Sequence, residues 1–474
     1  MIIDRRAFLA ASAAAAAFPS RSIAASGAVL TPEQFGARGD GTTNDTAAFA
    51  RLSAEITRRR GGTISLRAGR TYLVGGQTRG GGKFGWNPSP IIELEGLPGP
   101  IQIIGNGARL RAQPGLRLGT FDLGSGGAVH HPMPNLNHDD LAIPYRAMIW
   151  INQCSGPITI RDIELDGNLE RLSVGGQFGD KGWQVPATGL MLRFNTGTET
   201  VDNLLTHHHA LDGATIVGTP ERSVRSRISH LVSRYNGRQG LSVTSGRGYD
   251  FADCEFSHTG HGSVQSAPGA GVDIESEGKR PIRDLTFTRC KFLDNRGCGM
   301  VADSGDSEGV KFTDCTFVGT TNWSAWPRKP GFSFANCTFV GSLVHVYGGP
   351  DPTLAARFTA CRFTDDPALS PTGQVFSGAG QAPILATGPD GDALFDGCTF
   401  TLVGGAVLPA TRSAIYRNCK MSQRSRKPAR PIGRYQGTNS IAGPVNLTGS
   451  SNEGTLVVNG RQLPPGPIAG GLNR

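Results

Sequence analysis

Phe287-Thr288-Arg289-Cys290-Lys291-Phe292, answered 25 residues on by Phe312-Thr313-Asp314-Cys315-Thr316-Phe317, is the stretch whose reading decides the fold. The same F-x-x-C-x-F spelling recurs as Phe251-Cys254-Phe256, Phe334-Cys337-Phe339, Phe358-Cys361-Phe363 and Phe395-Cys398-Phe400, and closes as Tyr416-Cys419-Met421. Successive cysteines stand 36, 25, 22, 24, 37 and 21 residues apart, a basic period of 21 to 25 with two insertions. A period in that range means a solenoid. Cys and the following Phe are two apart and share one face of a strand, whereas the preceding Phe, three away, faces inward only past a bend. Each coil therefore turns a corner just before its cysteine. Coils stacked about 4.8 Å apart line these residues into interior ladders in which Cys is a small apolar filler. A leucine-rich repeat shares the period but not the Leu and Asn/Cys pattern, so the expected fold is all-β, a single-stranded right-handed parallel β-helix.

Composition agrees. The 474 residues include 67 Gly and 30 Pro, with 7% aromatic and 18% charged residues, which suits short strands joined by tight turns. Looser coils precede the cysteines at Ile158-Thr159-Ile160, Gly189 to Leu192, Val201 to Val217 and Ile228 to Val243. The formal charge of +9, from 47 basic and 38 acidic residues, favours an acidic partner. No basic block longer than Arg58-Arg59-Arg60 and no DNA-reading motif spacing occurs, which speaks against nucleic acid, while an anionic polysaccharide is another acidic candidate and charge alone does not decide between partners.

At the start, Asp4-Arg5-Arg6-Ala7-Phe8-Leu9, an alanine-rich run to Phe18 and small residues at Ser22-Ile23-Ala24 resemble a twin-arginine export signal. That resemblance implies a periplasmic or extracellular protein, exported already folded and without a mature membrane span. Nine cysteines are odd in number, and folding in a reducing cytoplasm makes free buried thiols the expectation.

Gln34-Phe35-Gly36-Ala37-Arg38-Gly39-Asp40-Gly41, Asn44-Asp45-Thr46-Ala47-Ala48-Phe49, Gly61-Gly62-Thr63-Ile64 and Ala68-Gly69-Arg70-Thr71-Tyr72 resemble the entry motif of the pectate-lyase-like superfamily. Asp45 is placed to cap a helix whose Phe49, Leu52 and Ile56 share one side and cover the open first coil. The organisation read from this is a signal at 1–24, an N-terminal cap and first coil at 25–75, a β-helix at 76–440 and a C-terminal cap or tail at 441–474. Members of the superfamily include lyases, hydrolases, epimerases and phage tailspikes, so fold does not choose the chemistry.

Aligned on their central glycine, Ala214 to Val217, Leu241 to Thr244, Val272 to Glu275 and Met300 to Asp303 become equivalent strands, with the first and third residues inward. Asp273, Glu275 and Asp303 then share an outward patch, spaced roughly 6.5 Å along the strand and 4.8 Å between coils. Like charges that close need a proton, a cation such as Ca²⁺ or a basic neighbour. The same carboxylates would equally serve as a solvated surface paired to Arg238, Arg280 or Arg296. The coil before Asp273 is lengthened by Ser257 to Ala270, where His258 or His261 offers a general acid or base. Gly260-His261-Gly262 is similar to the G-H-G of polygalacturonase-like hydrolases, but the N-T-D, D-D and R-I-K companions are absent in that order, so that family's catalytic assignments are not carried over.

Arg238 and Arg280 are the candidate lyase cations, and Trp323 and Trp326 are placed to stack on sugar rings or to cover the core at a corner. His207-His208-His209 with Asp212 invites a metal reading, with His207 and His209 on one strand face. His209, however, aligns with Asn236 and Asn295 in a turn ladder. Loops at 121–146 and 168–188, carrying His130, His131, Asp139, Asp140, Tyr145 and Trp183, are placed to wall a groove. The expected function is a monomeric, exported enzyme that cleaves an acidic polysaccharide by lyase-type β-elimination, Asp273, Glu275 and Asp303 holding Ca²⁺. The alternatives are an inverting hydrolase, a uronate C5-epimerase and a noncatalytic glycan-binding solenoid.

Overall fold

The computed structural model describes residues 29–80, 84–129, 141–176, 184–320, 323–342, 344–347, 349, 351–376, 382–388 and 393–469. The twin-arginine segment, His130, His131, Asp139, Asp140 and Trp183 lie outside them. Among the described residues no helix is long and apolar enough to cross a membrane.

The chain winds as a right-handed parallel β-helix, each coil contributing strands to three faces. One coil places Gln239–Ala252 on the first and second faces and Glu255–Ser257 on the third. The next repeats this with Ala270–Ile274, Ile282–Thr288 and Lys291–Leu293. Parallel pairing puts Phe251, Phe287, Phe312, Phe334, Phe358, Phe395, Tyr416 and Tyr435 in one register on the second face. Phe256, Phe292, Phe317, Phe339, Phe363, Phe400 and Met421 form the third-face register. Rings from Phe287 to Phe395 lie nearly parallel, at centroid distances of 4.9 to 5.1 Å. The two stacks meet edge to face, as Phe312 and Phe317 do at 5.6 Å and 67°. Both stacks are buried, so the core is a double aromatic wall running the length of the later coils.

The corner between the second and third faces is one left-handed residue. Asp253, Arg289, Asp314, Asn336, Ala360, Gly397 and Asn418, each immediately before a cysteine, have φ between 51° and 64°. One such residue breaks the alternation of the strand, which is how Phe and the Cys three positions later both face inward. All nine cysteines are free and buried. The ladder thiols also bond: the Sγ of Cys315, Cys361, Cys398 and Cys419 donate to the carbonyls of Phe287, Phe334, Phe358 and Phe395 at 3.3 to 3.4 Å.

At the N-terminal end, Thr46–Arg58 is helical, and its buried Phe49, Leu52 and Ile56 close the first coil. Asp45 does not cap this helix. Its carboxylate accepts from the backbone amides of Arg38 and Gly39 at 2.7 and 3.0 Å, pinning the entry loop, while Asn44 Oδ1 accepts from the Thr46 amide. Parallel pairing begins with Val29–Leu30 on Gly62–Ser65 and continues as far as Thr455–Val458. Antiparallel strands at Arg461–Leu463 and Gly466–Pro467 then finish the stack.

Candidate active face

On the first face, parallel register aligns Ala214, Leu241, Val272 and Met300, at most 3% exposed, and places Thr215, Ser242, Asp273 and Val301, 3 to 6% exposed, beside one another on the outer side. The pairing extends this outer column to Trp150 and Met191 in one direction and Trp326 in the other. Each strand starts against the interior: a Cβ on Gly213 would lie 1.9 Å from Ser233 Oγ, and one on Gly271 2.7 Å from Asn295 Nδ2. Because the glycines turn inward, the residues before them, Asp212, Gln239 and Ala270, project beside the column.

Asp273 sits mid-column and is 5% exposed. Its Oδ2 accepts from Gln239 Nε2 at 2.5 Å. Burial and then the nearby Glu275 push its carboxyl up to about 7, against the Gln239 hydrogen bond and the Arg238 charge. The Glu275 Oε1 accepts from Ser304 Oγ at 2.5 Å. Ser304, not Asp303, is therefore the neighbour of Glu275 on the next coil: that strand ends at Ala302 and Asp303 is exposed beyond it. Among the described residues the one group of His, Cys, Asp and Glu with three ligand atoms within 4.8 Å of one another lies elsewhere, so the Asp273, Glu275 and Asp303 donor set does not converge on a single Ca²⁺.

Arg238 is likewise committed. Its Nε and Nη2 bind both oxygens of the fully buried Asp212 at 2.8 and 2.6 Å, and its Nη1 donates to Gln184. Arg280 turns toward the Phe194 ring, 5.1 Å from its centroid. Neither is poised as a base. His258 and His261 face Asp294 at 3.6 and 4.0 Å, and His258 stacks on Tyr235 at 4.6 Å. They belong to the corner between third and first faces; the groups acting most strongly on Asp273 are Glu275, Gln239, Arg238 and Asp212.

Residues 147–339 match the family model described as a right handed beta helix region. The Azotobacter vinelandii mannuronan C-5 epimerase AlgE4 A-module superposes with a TM-score of 0.56 at 15% identity, covering 89% of this chain and 98% of the module. The pre-mature bacteriophage phi29 gene product 12 gives 0.55 at 12% identity, covering 93% of this chain and 58% of that one. At such identities these likenesses carry the fold. No curated protein matches the chain.

Beyond Asp273 the column is aromatic. Trp323 and Trp326 stack at 3.9 Å over the apolar group Ala270, Cys298 and Val301, and Trp326 stacks again on His345 at 4.3 Å. The Cys298 thiol, buried beside Asp303 and Asp273, is pushed up rather than activated. At the far end Trp150 lies under the guanidinium groups of Arg146 and Arg193, at 5.4 and 5.8 Å, and with Arg146 and Glu93 borders a cavity of about 230 Å³. Sequence reading missed Trp150 and Gln239, and took Asp212 for a metal partner of the histidines rather than the partner of Arg238. Trp150 was legible as the odd aromatic in Met148-Ile149-Trp150-Ile151, but the other two gain meaning only from contacts across coils.

Proposed function

We propose that the first face is the active face of an enzyme that cleaves a polysaccharide laid along the column from Trp150 to Trp326, with Asp273 as the general acid. The observation that carries this is one carboxyl buried mid-column between an aromatic platform and a second carboxyl, a setting that pushes it up to about 7 by burial and then by the charge of Glu275. A carboxylic acid that keeps its proton close to neutrality is what protonation of a glycosidic oxygen requires. Glu275, just past the end of that strand at Ile274, takes the proton of a water on the opposite side of the sugar; a carboxyl separation of roughly 6.5 to 9.5 Å gives inversion at the anomeric carbon and one of about 5 to 5.5 Å gives retention. Ser304 orients Glu275, Gln239 orients Asp273, and Trp323 and Trp326 hold the sugar ring beyond the cleavage point.

A second reading, C5-proton removal from a uronate by a lyase or epimerase, draws on the excess of basic residues, on Arg146 and Arg193 around Trp150, and on the fold likeness to an enzyme acting on mannuronan. There the protonated Asp273 donates to the uronate carboxylate, easing removal of the C5 proton. With Arg238 held by Asp212, this reading needs a base from elsewhere. Incubation with a panel of acidic and neutral polysaccharides decides. Reducing ends without ultraviolet absorbance support hydrolysis, whereas unsaturated uronate supports elimination. Asp273→Asn should lower either rate by at least about 100-fold, and activity should fall as pH rises through about 7. Full activity in Asp273→Asn, or no product on any polymer, overturns the assignment.

We also propose, from the Arg5-Arg6 segment, that the enzyme works outside the cytoplasm after folded export. Retention of an Arg5→Lys, Arg6→Lys variant in the cytoplasmic fraction tests this.

A further inference from the structure

Strand alternation would set His207 and His209 on one side. The fold does otherwise, because His208 occupies the left-handed corner, φ 54°, between third and first faces. The corner sends His209 inside, where its ring meets Tyr145 Oη at 2.9 Å and its amide donates to Asn236 Oδ1, and brings His207 and His208 to one side. Their Nδ1 atoms are 2.6 Å apart, and Asp166, in register with His207 on the preceding coil, has an oxygen 3.8 Å from His207 Nδ1. We propose that Asp166, His207 and His208 form a binding site for a divalent transition ion of the Zn²⁺ type.

Three observations converge. The ligand atoms of these residues lie within 4.8 Å of one another. The other ring nitrogen of His207 is held by Glu164 at 3.0 Å, and Glu164 is itself paired to Arg109 at 2.8 Å. A carboxylate bound to the far nitrogen of a ligand histidine fixes its tautomer, leaving the Nδ1 lone pair of His207 aimed at His208. The His208 ring is in turn fixed by stacking on Tyr235, 5.2 Å and 11° from parallel. Two imidazoles and one carboxylate favour Zn²⁺, Co²⁺ or Ni²⁺ over Ca²⁺ or Mg²⁺, which prefer all-oxygen shells. One Asp166 oxygen is partnered by Arg111 at 3.2 Å and the other accepts from the Asn168 amide, so the ion takes a remaining lone pair.

The test is calorimetric titration of tag-free, chelator-treated protein with Zn²⁺, and Co²⁺ loading read by its visible ligand-field band. One Zn²⁺ per chain and an intense tetrahedral Co²⁺ band are expected, with no Ca²⁺ competition. His208→Asn keeps a residue suited to the corner, as Asn168 is on the preceding coil, and together with His207→Ala should abolish the band. Glu164→Gln should weaken Zn²⁺ by about 10- to 100-fold without removing it. Absence of binding in the parent, or Zn²⁺ affinity unchanged in the double variant whose melting is unaltered, overturns the site.

Discussion

The inner wall of the second and third faces and the outer column of the first are built from the same coils by opposite rules. Along the wall each coil repeats its neighbour: Phe on Phe near 4.9 Å, and Cys on the carbonyl of the coil before. Along the column no two neighbours match, as Trp150, Met191, Thr215, Ser242, Asp273, Val301 and Trp326 succeed one another. In a stack of coils every interior position has the same neighbours, so the residue that packs best there packs best again. An outer position has no such constraint. Repetition marks what holds the coils together, and its interruption on an otherwise regular face marks where a side chain serves something outside the chain.

The comparison can be broken by substitutions on either side of it. Phe312→Ala, removing a buried ring stacked on both Phe287 and Phe334, should cost about 3 to 5 kcal/mol in denaturant unfolding. A loss under about 1 kcal/mol would mean the wall does not carry the fold. Asp273→Asn should go the other way. The folded carboxyl titrates near 7 and the ordinary one near 3.8, so between these values the folded chain holds a proton the unfolded chain has released. Stability therefore falls as pH rises from about 4 to 7, and the variant, spared that loss, should gain up to the order of 4 kcal/mol at pH 8 and nothing below about pH 4. Melting curves at the two pH values check it. Trp326→Ala should weaken oligosaccharide binding by roughly tenfold, about 1.4 kcal/mol, as titration by tryptophan fluorescence would report, and should also lower melting because the ring covers Ala270, Cys298 and Val301. Cys315→Ala should cost about 1 kcal/mol, the worth of one thiol bond and a small void.

The wall was legible because its signal is local and repeated: F-x-x-C-x-F fixes both the face of each residue and the corner before the cysteine. The register of Ala214, Leu241, Val272 and Met300 followed from the same logic. What escaped were contacts made across coils. Arg238 read as a free cation because Asp212, its partner, lies 26 residues earlier. Asp303 read as the companion of Glu275 because alternation was carried past Ala302, where the strand stops. His207 was paired with His209 for the same reason, since a left-handed residue changes which neighbours share a side and the sequence does not flag His208 as one.

That left-handed corner gives the molecule a kind of address system. Asn168, His208, Tyr235, His258 and Asp294 take it on successive coils, each with φ near 50°; the three rings are half-buried, and Asn168 and Asp294 are buried. A residue placed there is delivered to a known spot at the corner, one coil spacing from the next, outside the aromatic wall. New ligands or partners can thus be written onto the edge of this solenoid one coil at a time, by exchanging single residues on a frame that does not need to be refolded.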